Sequence, residues 1–167
     1  MSATPATPIS VGSQLPDVTV RTIVDGAPAV VPASEVLGSG RVVLFAVPGA
    51  FTPTCSREHL PSYKERASDL SAAGVDRIVC LGVNDVFVMQ AWGEVNAVSE
   101  TITMVADPDG EFTHAIGMEV DCSAFGMGVR SKRYAMVLED GVVTAFLPEE
   151  DGFSMIASSA DCVLKTL

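Results

Sequence analysis

The chain has no block of lysine or arginine: 10 basic residues stand against 21 acidic ones, a formal charge of −11 over 167 residues. That balance argues against nucleic acid and anionic membrane as partners. No apolar run is long enough to cross a bilayer, since the longest, leading into Phe51, is broken by Pro48. The first residues, Met1 to Pro8, contain neither the apolar core of a secretion signal nor a basic amphipathic presequence, so a cytoplasmic protein is expected. No C-x-x-C pair occurs among Cys55, Cys80, Cys122 and Cys162. This disfavours both a dithiol oxidoreductase site and a disulfide framework. Repeats, low-complexity tracts and long linkers are also missing, and the length suits a single domain over 1–167.

What is present is a chain that is 48 % apolar and 19 % charged, enough to build a substantial core. After a loose lead-in of about 15 residues, Asp17–Val24 and Ala27–Val31 read as strands around the turn pair Asp25-Gly26. Val42–Val47 is a fully apolar strand. From Cys55 to about Ala73, Leu60, Tyr63, Ala67 and Leu70 mark one helical face, with Gly74 as the stop. Pro61 removes a backbone donor inside that helix and predicts a kink. Asp76–Val83 is a second apolar strand, followed by a helix capped by Asn84 or Asp85. Thr101–Ala106 is a third strand, ending in the turn Asp107-Pro108-Asp109-Gly110, whose later positions do not suit a calcium loop. A short helix near Phe112–Ile116 follows. Tyr134–Leu138 and Val142–Leu147 form a hairpin, and Ser158–Leu167 closes the chain as a helix. Strands alternating with helices and then a hairpin predict an α/β domain, a mixed central sheet flanked by helices with extra N-terminal strands.

The most informative segment is Pro48-Gly49-Ala50-Phe51-Thr52-Pro53-Thr54-Cys55. It places a thiol where a buried strand crosses into the start of a helix. Unpaired N–H groups and the macrodipole at a helix N-terminus favour a thiolate. The effect is large: a cysteine of ordinary pKa is about 3 % thiolate at pH 7, and one lowered to about 6 is about 90 %. His59, one turn after Cys55, falls on the same helical side and is a candidate to organise the surroundings. His114 has no metal-ligand spacing around it and reads as structural.

The segment VPGAFTPTCSREHLP resembles the peroxidatic loop of peroxiredoxins, specifically the type II branch that includes the mammalian fifth peroxiredoxin. The likeness continues through Cys80–Asp85, Ala91-Trp92, Ala106–Gly110 and Arg130–Gly141, in family order, over nearly the whole chain from Ile9. It implies a thioredoxin-like fold and reduction of hydrogen peroxide and organic hydroperoxides without metal or organic cofactor. By position it makes Cys55 the peroxidatic nucleophile, gives Thr52 the task of holding peroxide and thiolate, and has Pro48 shield the pocket. Arg133 becomes the pocket arginine, with Arg130 ranked second. It also implies a homodimer formed through the face carrying the active-site loops. The chemistry suits these roles. Attack on a peroxide moves negative charge onto the departing oxygen, a guanidinium stabilises that charge, and a threonine hydroxyl can both donate and accept.

The sulfenic acid formed on Cys55 needs a second thiol. Relatives resembling the mammalian protein carry a resolving cysteine after the pair matching Asp151-Gly152, and the matching position here is Ala157. Cys162 lies further on, a poor substitute. Cys80 matches the cysteine invoked as resolver in plant type II members, yet it stands inside an apolar strand and could reach Cys55 only if the helix start unwinds. The expected reductant is therefore an external thiol, glutaredoxin with glutathione or thioredoxin, with a Cys55–Cys80 bond left open. The competing expectation is a peroxide-sensing redox module without efficient turnover.

Overall fold

The computed structural model describes residues 8–167. Strands β1 (Thr19–Val24) and β2 (Ala27–Pro32) make the first hairpin, turning through Asp25 and Gly26 with φ of 51° and 79°. Helix α1 (Ala33–Leu37) leads into β3 (Arg41–Val47). Helix α2 (Leu60–Ala72), β4 (Arg77–Gly82), α3 (Val86–Val95), β5 (Ile102–Ala106) and α4 (Glu111–Ala115) follow. A small arm is formed by β6 (Glu119–Asp121) and β7 (Val129–Ser131). The chain ends with β8 (Tyr134–Glu139), β9 (Val142–Pro148) and α5 (Ala160–Leu164).

Seven strands form one mixed sheet in the order β2-β1-β5-β4-β3-β8-β9, while β6 and β7 pair separately. The central strands β3, β4 and β5 are parallel; β8 runs antiparallel to β3. Because β3 is covered on both faces, its sequence is continuously apolar rather than alternating. Val43, Phe45 and Val47 meet Tyr63, Leu70 and Trp92 from α2 and α3. Val42, Leu44 and Ala46 meet Leu37 of α1, Phe112 of α4 and Ile116 just after it on the other face. Strand parity thus assigns residues to sides. In β4 Cys80 shares the Cys55 side, and in β8 Ala135 and Val137 do so.

Most elements fall where the sequence puts them, including the Gly74 stop at φ +91° and Asp85 as the cap of α3, accepting from Val88 N–H at 2.9 Å. Three expectations need correction. The helix carrying Cys55 starts at Pro53, two residues early, so Cys55 occupies its first turn. The lead-in is not loose from Ile9 onward, because Ile9 is buried and its N–H donates to Ile116 O at 2.9 Å. Its earlier part, residues 1–7, lies outside the described residues. Helix α1 and the β6–β7 arm were not expected; both are too short to carry a readable period.

Candidate active site

At the carboxyl end of β3 the chain turns through Pro48 and Gly49, both buried. Gly49 is tightly packed: a Cβ there would sit 3.0 Å from Met127 Cε and 3.1 Å from Thr52 Cγ2. Phe51 adopts φ +65°, an uncommon conformation for a bulky residue. Its neighbours pin it. Ala50 N–H donates to Asn84 Oδ1 at 3.0 Å, and the Thr52 hydroxyl donates to Gly49 O at 2.6 Å. With its proton committed there, the Thr52 hydroxyl presents its oxygen lone pairs to an approaching donor such as a hydroperoxide O–H.

The following turn, Cys55–His59, is a π-helix in which Leu60 N–H bonds to Cys55 O. Pro61 causes this. It has no N–H for the Arg57 carbonyl, so the wider turn absorbs the kink the sequence predicts. Cys55 and His59 are both fully buried, and the next residue, Ser56, accepts from Trp92 Nε1–H at 3.1 Å.

Arg133 reaches this turn from the start of β8. Its backbone extends the ladder, N–H donating to Gly152 O at 2.7 Å and carbonyl accepting from Glu149 N–H at 3.1 Å. Two residues before Ala135, it keeps the Cys55-facing parity. The guanidinium then spends its donors in three directions: Nε to Phe153 O at 2.9 Å, Nη1 to His59 Nδ1 at 2.8 Å, and Nη2 to Cys55 Sγ at 3.2 Å. Arg133 is only 2 % exposed, and no carboxylate pairs with it among the described residues. An isolated buried charge is costly. Of the groups touching this guanidinium, the Cys55 sulfur is the one that can become an anion.

The histidine's protonation follows from its partners. A guanidinium only donates, so His59 Nδ1 must accept, and the ring proton sits on Nε2, which donates to Ser158 O at 3.0 Å. Burial, reinforced by the charge of Arg133, pushes the imidazole down from 6.5 to about 3, while the Ser158 bond opposes that shift. His59 is therefore neutral at any physiological pH. Its ring packs against Phe45, centroids 4.9 Å apart, and Phe45 stacks on Tyr63 at 4.0 Å. Tyr63 hydroxyl donates to the same Ser158 carbonyl at 2.7 Å.

The structure thus joins Cys55 and His59 through Arg133, with Thr52 at the head of the same helix, its carbonyl accepting from Ser56 N–H at 3.0 Å, and Pro48 buried at the strand end before it. Arg130 does not touch Cys55. Its Nε donates to Met127 O at 2.8 Å and its Nη1 to Val83 O at 3.0 Å, which fastens the β6–β7 arm over Gly49. Cys80 is fully buried between Phe45 and Met104 as strand partners, and burial holds its thiol well above the ordinary range, with Cys55 adding to the shift. Cys122 is buried, while Cys162 is half-buried with Sγ donating to Ile156 O at 3.3 Å. Glu149, Ser158, Tyr63 and Asn84 were not singled out as site residues from the sequence. Their contribution runs through carbonyls, amides and a loop clasp that no sequence pattern encodes.

A buried cysteine at a helix start, met by a guanidinium beyond the carboxyl end of a parallel strand, on a mixed sheet, defines a redoxin. The Redoxin family profile matches residues 10–159. The chain belongs to the peroxiredoxin family, in its type II branch. It is 44 % identical over 161 residues to Peroxiredoxin-2B of Arabidopsis thaliana, covering 96 % of this chain and 99 % of that protein. Among solved structures it is similar to reduced Prx3 of Vibrio vulnificus in complex with H2O2, with TM-score 0.89, 46 % identity, and coverage of 94 % and 98 %. It is also similar to peroxiredoxin 5 of Alvinella pompejana, with TM-score 0.82, 35 % identity, and coverage of 95 % and 97 %. The protein is a thiol-dependent peroxidase, acting on peroxide at the expense of a thiol reductant.

Proposed function

We propose that Cys55 is the peroxidatic nucleophile of a single-domain enzyme and that Arg133, Thr52 and Pro48 build its pocket. The observation that carries this reading is the 3.2 Å contact from Arg133 Nη2 to Cys55 Sγ in a buried site where no carboxylate neutralises the guanidinium. The thiolate attacks one peroxide oxygen, a sulfur–oxygen bond forms, and the O–O bond breaks. The departing alkoxide or hydroxide takes a proton, and sulfur is left as a sulfenic acid, oxidised by two electrons. Arg133 stabilises the starting thiolate and the charge developing on the leaving oxygen. Thr52 accepts the hydroperoxide proton's hydrogen bond, and Pro48 presents a donor-free wall. His59 acts at one remove, by holding Arg133.

Two equivalents of an external thiol then return Cys55 to the thiol, giving a disulfide and water. The reductant we favour is glutaredoxin with glutathione, or thioredoxin. Ala157 at the expected resolving position, and the burial of Cys80, support that choice. Exposed Phe51, Phe87, Phe125 and Phe153 are loop or loop-flanking aromatics, and support a homodimer through the face that carries the active-site loops. We also propose a cytoplasmic location, in keeping with the acidic composition. The experiment is peroxide consumption with glutathione and glutaredoxin, or with thioredoxin, for the wild type and Cys55→Ser. Sustained turnover lost in the variant supports an enzyme; a single stoichiometric oxidation with every reductant would leave a sensor instead.

A further inference from the structure

Glu149 is a carboxylate only 4 % exposed, yet no cation pairs with it among the described residues. Its Oε1 accepts instead from the backbone N–H groups of Ile156, Ala157 and Ser158, each at 2.8 Å, and from the Ser158 hydroxyl at 2.7 Å. Three consecutive amides turned onto one oxygen make an anion cradle, here filled by the chain's own side chain. Ser158, gripped by Glu149 at both its amide and its hydroxyl, turns its carbonyl into the helix. There it accepts from Tyr63 and from His59 Nε2. That carbonyl holds the ring proton on Nε2, the same tautomer that the guanidinium requires at Nδ1, so the two contacts support each other. The backbone of Glu149 meanwhile donates to the Arg133 carbonyl at 3.1 Å. One residue therefore grips the arginine at its main chain and, through Ser158 and His59, at its guanidinium.

We propose that Glu149 is a positioning residue of the peroxidatic centre: by fixing the Ser158 carbonyl it holds His59 as the Nε2–H tautomer and thereby aims Arg133 at Cys55 Sγ. This rests on the reading of Cys55 and Arg133 given above. A residue that merely clipped the loop in place would change stability alone. A positioning residue changes the tautomer and the chemical step together, in protein that is still folded.

The test uses the full chain with 15N-labelled histidine, in the wild type and in Glu149→Gln, Glu149→Ala and Glu149→Asp. The nitrogen shifts of His59 report the tautomer, and stopped-flow oxidation of Cys55 by hydrogen peroxide reports the single chemical step. Glu149→Gln keeps an acceptor oxygen in place; it retains the Nε2–H signature and loses no more than about threefold in rate. Glu149→Ala releases the three amides; His59 becomes a tautomer mixture and the rate falls about 10- to 100-fold. Glu149→Asp keeps the charge but withdraws the oxygen, so it follows Ala, not Gln, and it carries the test if the alanine variant does not fold. An unchanged His59 in both disruptive variants, a wild-type rate beside a shifted tautomer, or an Asp variant as fast as Gln overturns the proposal. A wild-type Cys55 inert to peroxide would instead sink the peroxidase reading, a result distinct from an indifferent Glu149.

Discussion

Acidification below pH 6.5 should destabilise this protein through His59 before any surface effect matters. In the folded chain the imidazole is neutral down to about pH 3, because burial and Arg133 oppose its charging. In the unfolded chain it titrates at its ordinary value near 6.5. Between those values the unfolded state binds one proton that the folded state refuses, so stability falls as pH falls. At pH 7 the unfolded imidazole is only about a quarter protonated and the penalty is about 0.2 kcal/mol. The linkage amounts to roughly 1 kcal/mol at pH 5.5 and about 3 kcal/mol at pH 4, levelling off below about pH 3. Urea unfolding at a series of pH values, on the wild type and on His59→Gln, isolates it. Carboxylates titrate in both proteins, including Asp151, which hydrogen bonds from Ser154 and Phe153 hold at about 2, so their share cancels in the difference. The wild type should show a slope steeper by one proton across pH 4 to 6. Equal slopes would refute a neutral, buried His59 and with it the assignment of Nδ1 as the acceptor for Arg133.

The pocket assignments give three further expectations. Arg133→Lys removes the fork that reaches His59 and Cys55 together, and stopped-flow oxidation of Cys55 should slow by about 10²- to 10³-fold, the usual effect of losing one preorganised donor; a loss under about threefold contradicts the assignment. Thr52→Ser keeps the hydroxyl on the Gly49 carbonyl and should stay within about threefold of wild type, whereas Thr52→Val should lose about 10-fold or more in kcat/KM for peroxide. Cys80→Ser should leave turnover with glutathione and glutaredoxin within about twofold, with peptide mapping showing a glutathione adduct on Cys55; a Cys55–Cys80 disulfide peptide from the wild type would reverse the preference for an external thiol.

The parts of the fold that were legible are those with a physical reason to imprint a pattern. β3 and β4 are buried on both faces and so are apolar throughout. Asp25-Gly26 and Asp140-Gly141 must take positive φ, and the residues chosen tolerate it. Pro61 announced a defect in the helix, though not that the defect would be a π-turn beginning at Cys55 itself. It was the resemblance that ranked Arg133 above Arg130; in the structure Arg133 keeps the parity of Ala135 and Val137, which share the Cys55 side. Glu149 was illegible for a different reason. It sits in Pro148-Glu149-Glu150-Asp151, an acidic run of the kind normally solvated, and what buries it is a cradle of amides several residues ahead. Backbone donors leave no mark in a sequence.

Cys55 and Arg133, the proposed nucleophile and its arginine, belong to elements of unequal firmness. Arg133 continues β8, one strand in from the edge of a seven-stranded sheet, and is held by two main-chain bonds to the segment that follows β9. Cys55 sits in a first turn already interrupted by the π-turn, whose links beyond its own backbone include the Trp92–Ser56 bond and the Arg133–Cys55 contact. Such bonds are worth about 1 kcal/mol for the neutral one and about 1.5–3 kcal/mol for the one to a charged group. On the proposed reading of Cys55 as the nucleophile, its oxidation to a sulfenic acid replaces the sulfur that accepts from Arg133 and weakens the second bond. On that reading the turn that presents sulfur to a reducing thiol is expected to open more readily after the first half of the reaction, while the sheet holds Arg133 in place.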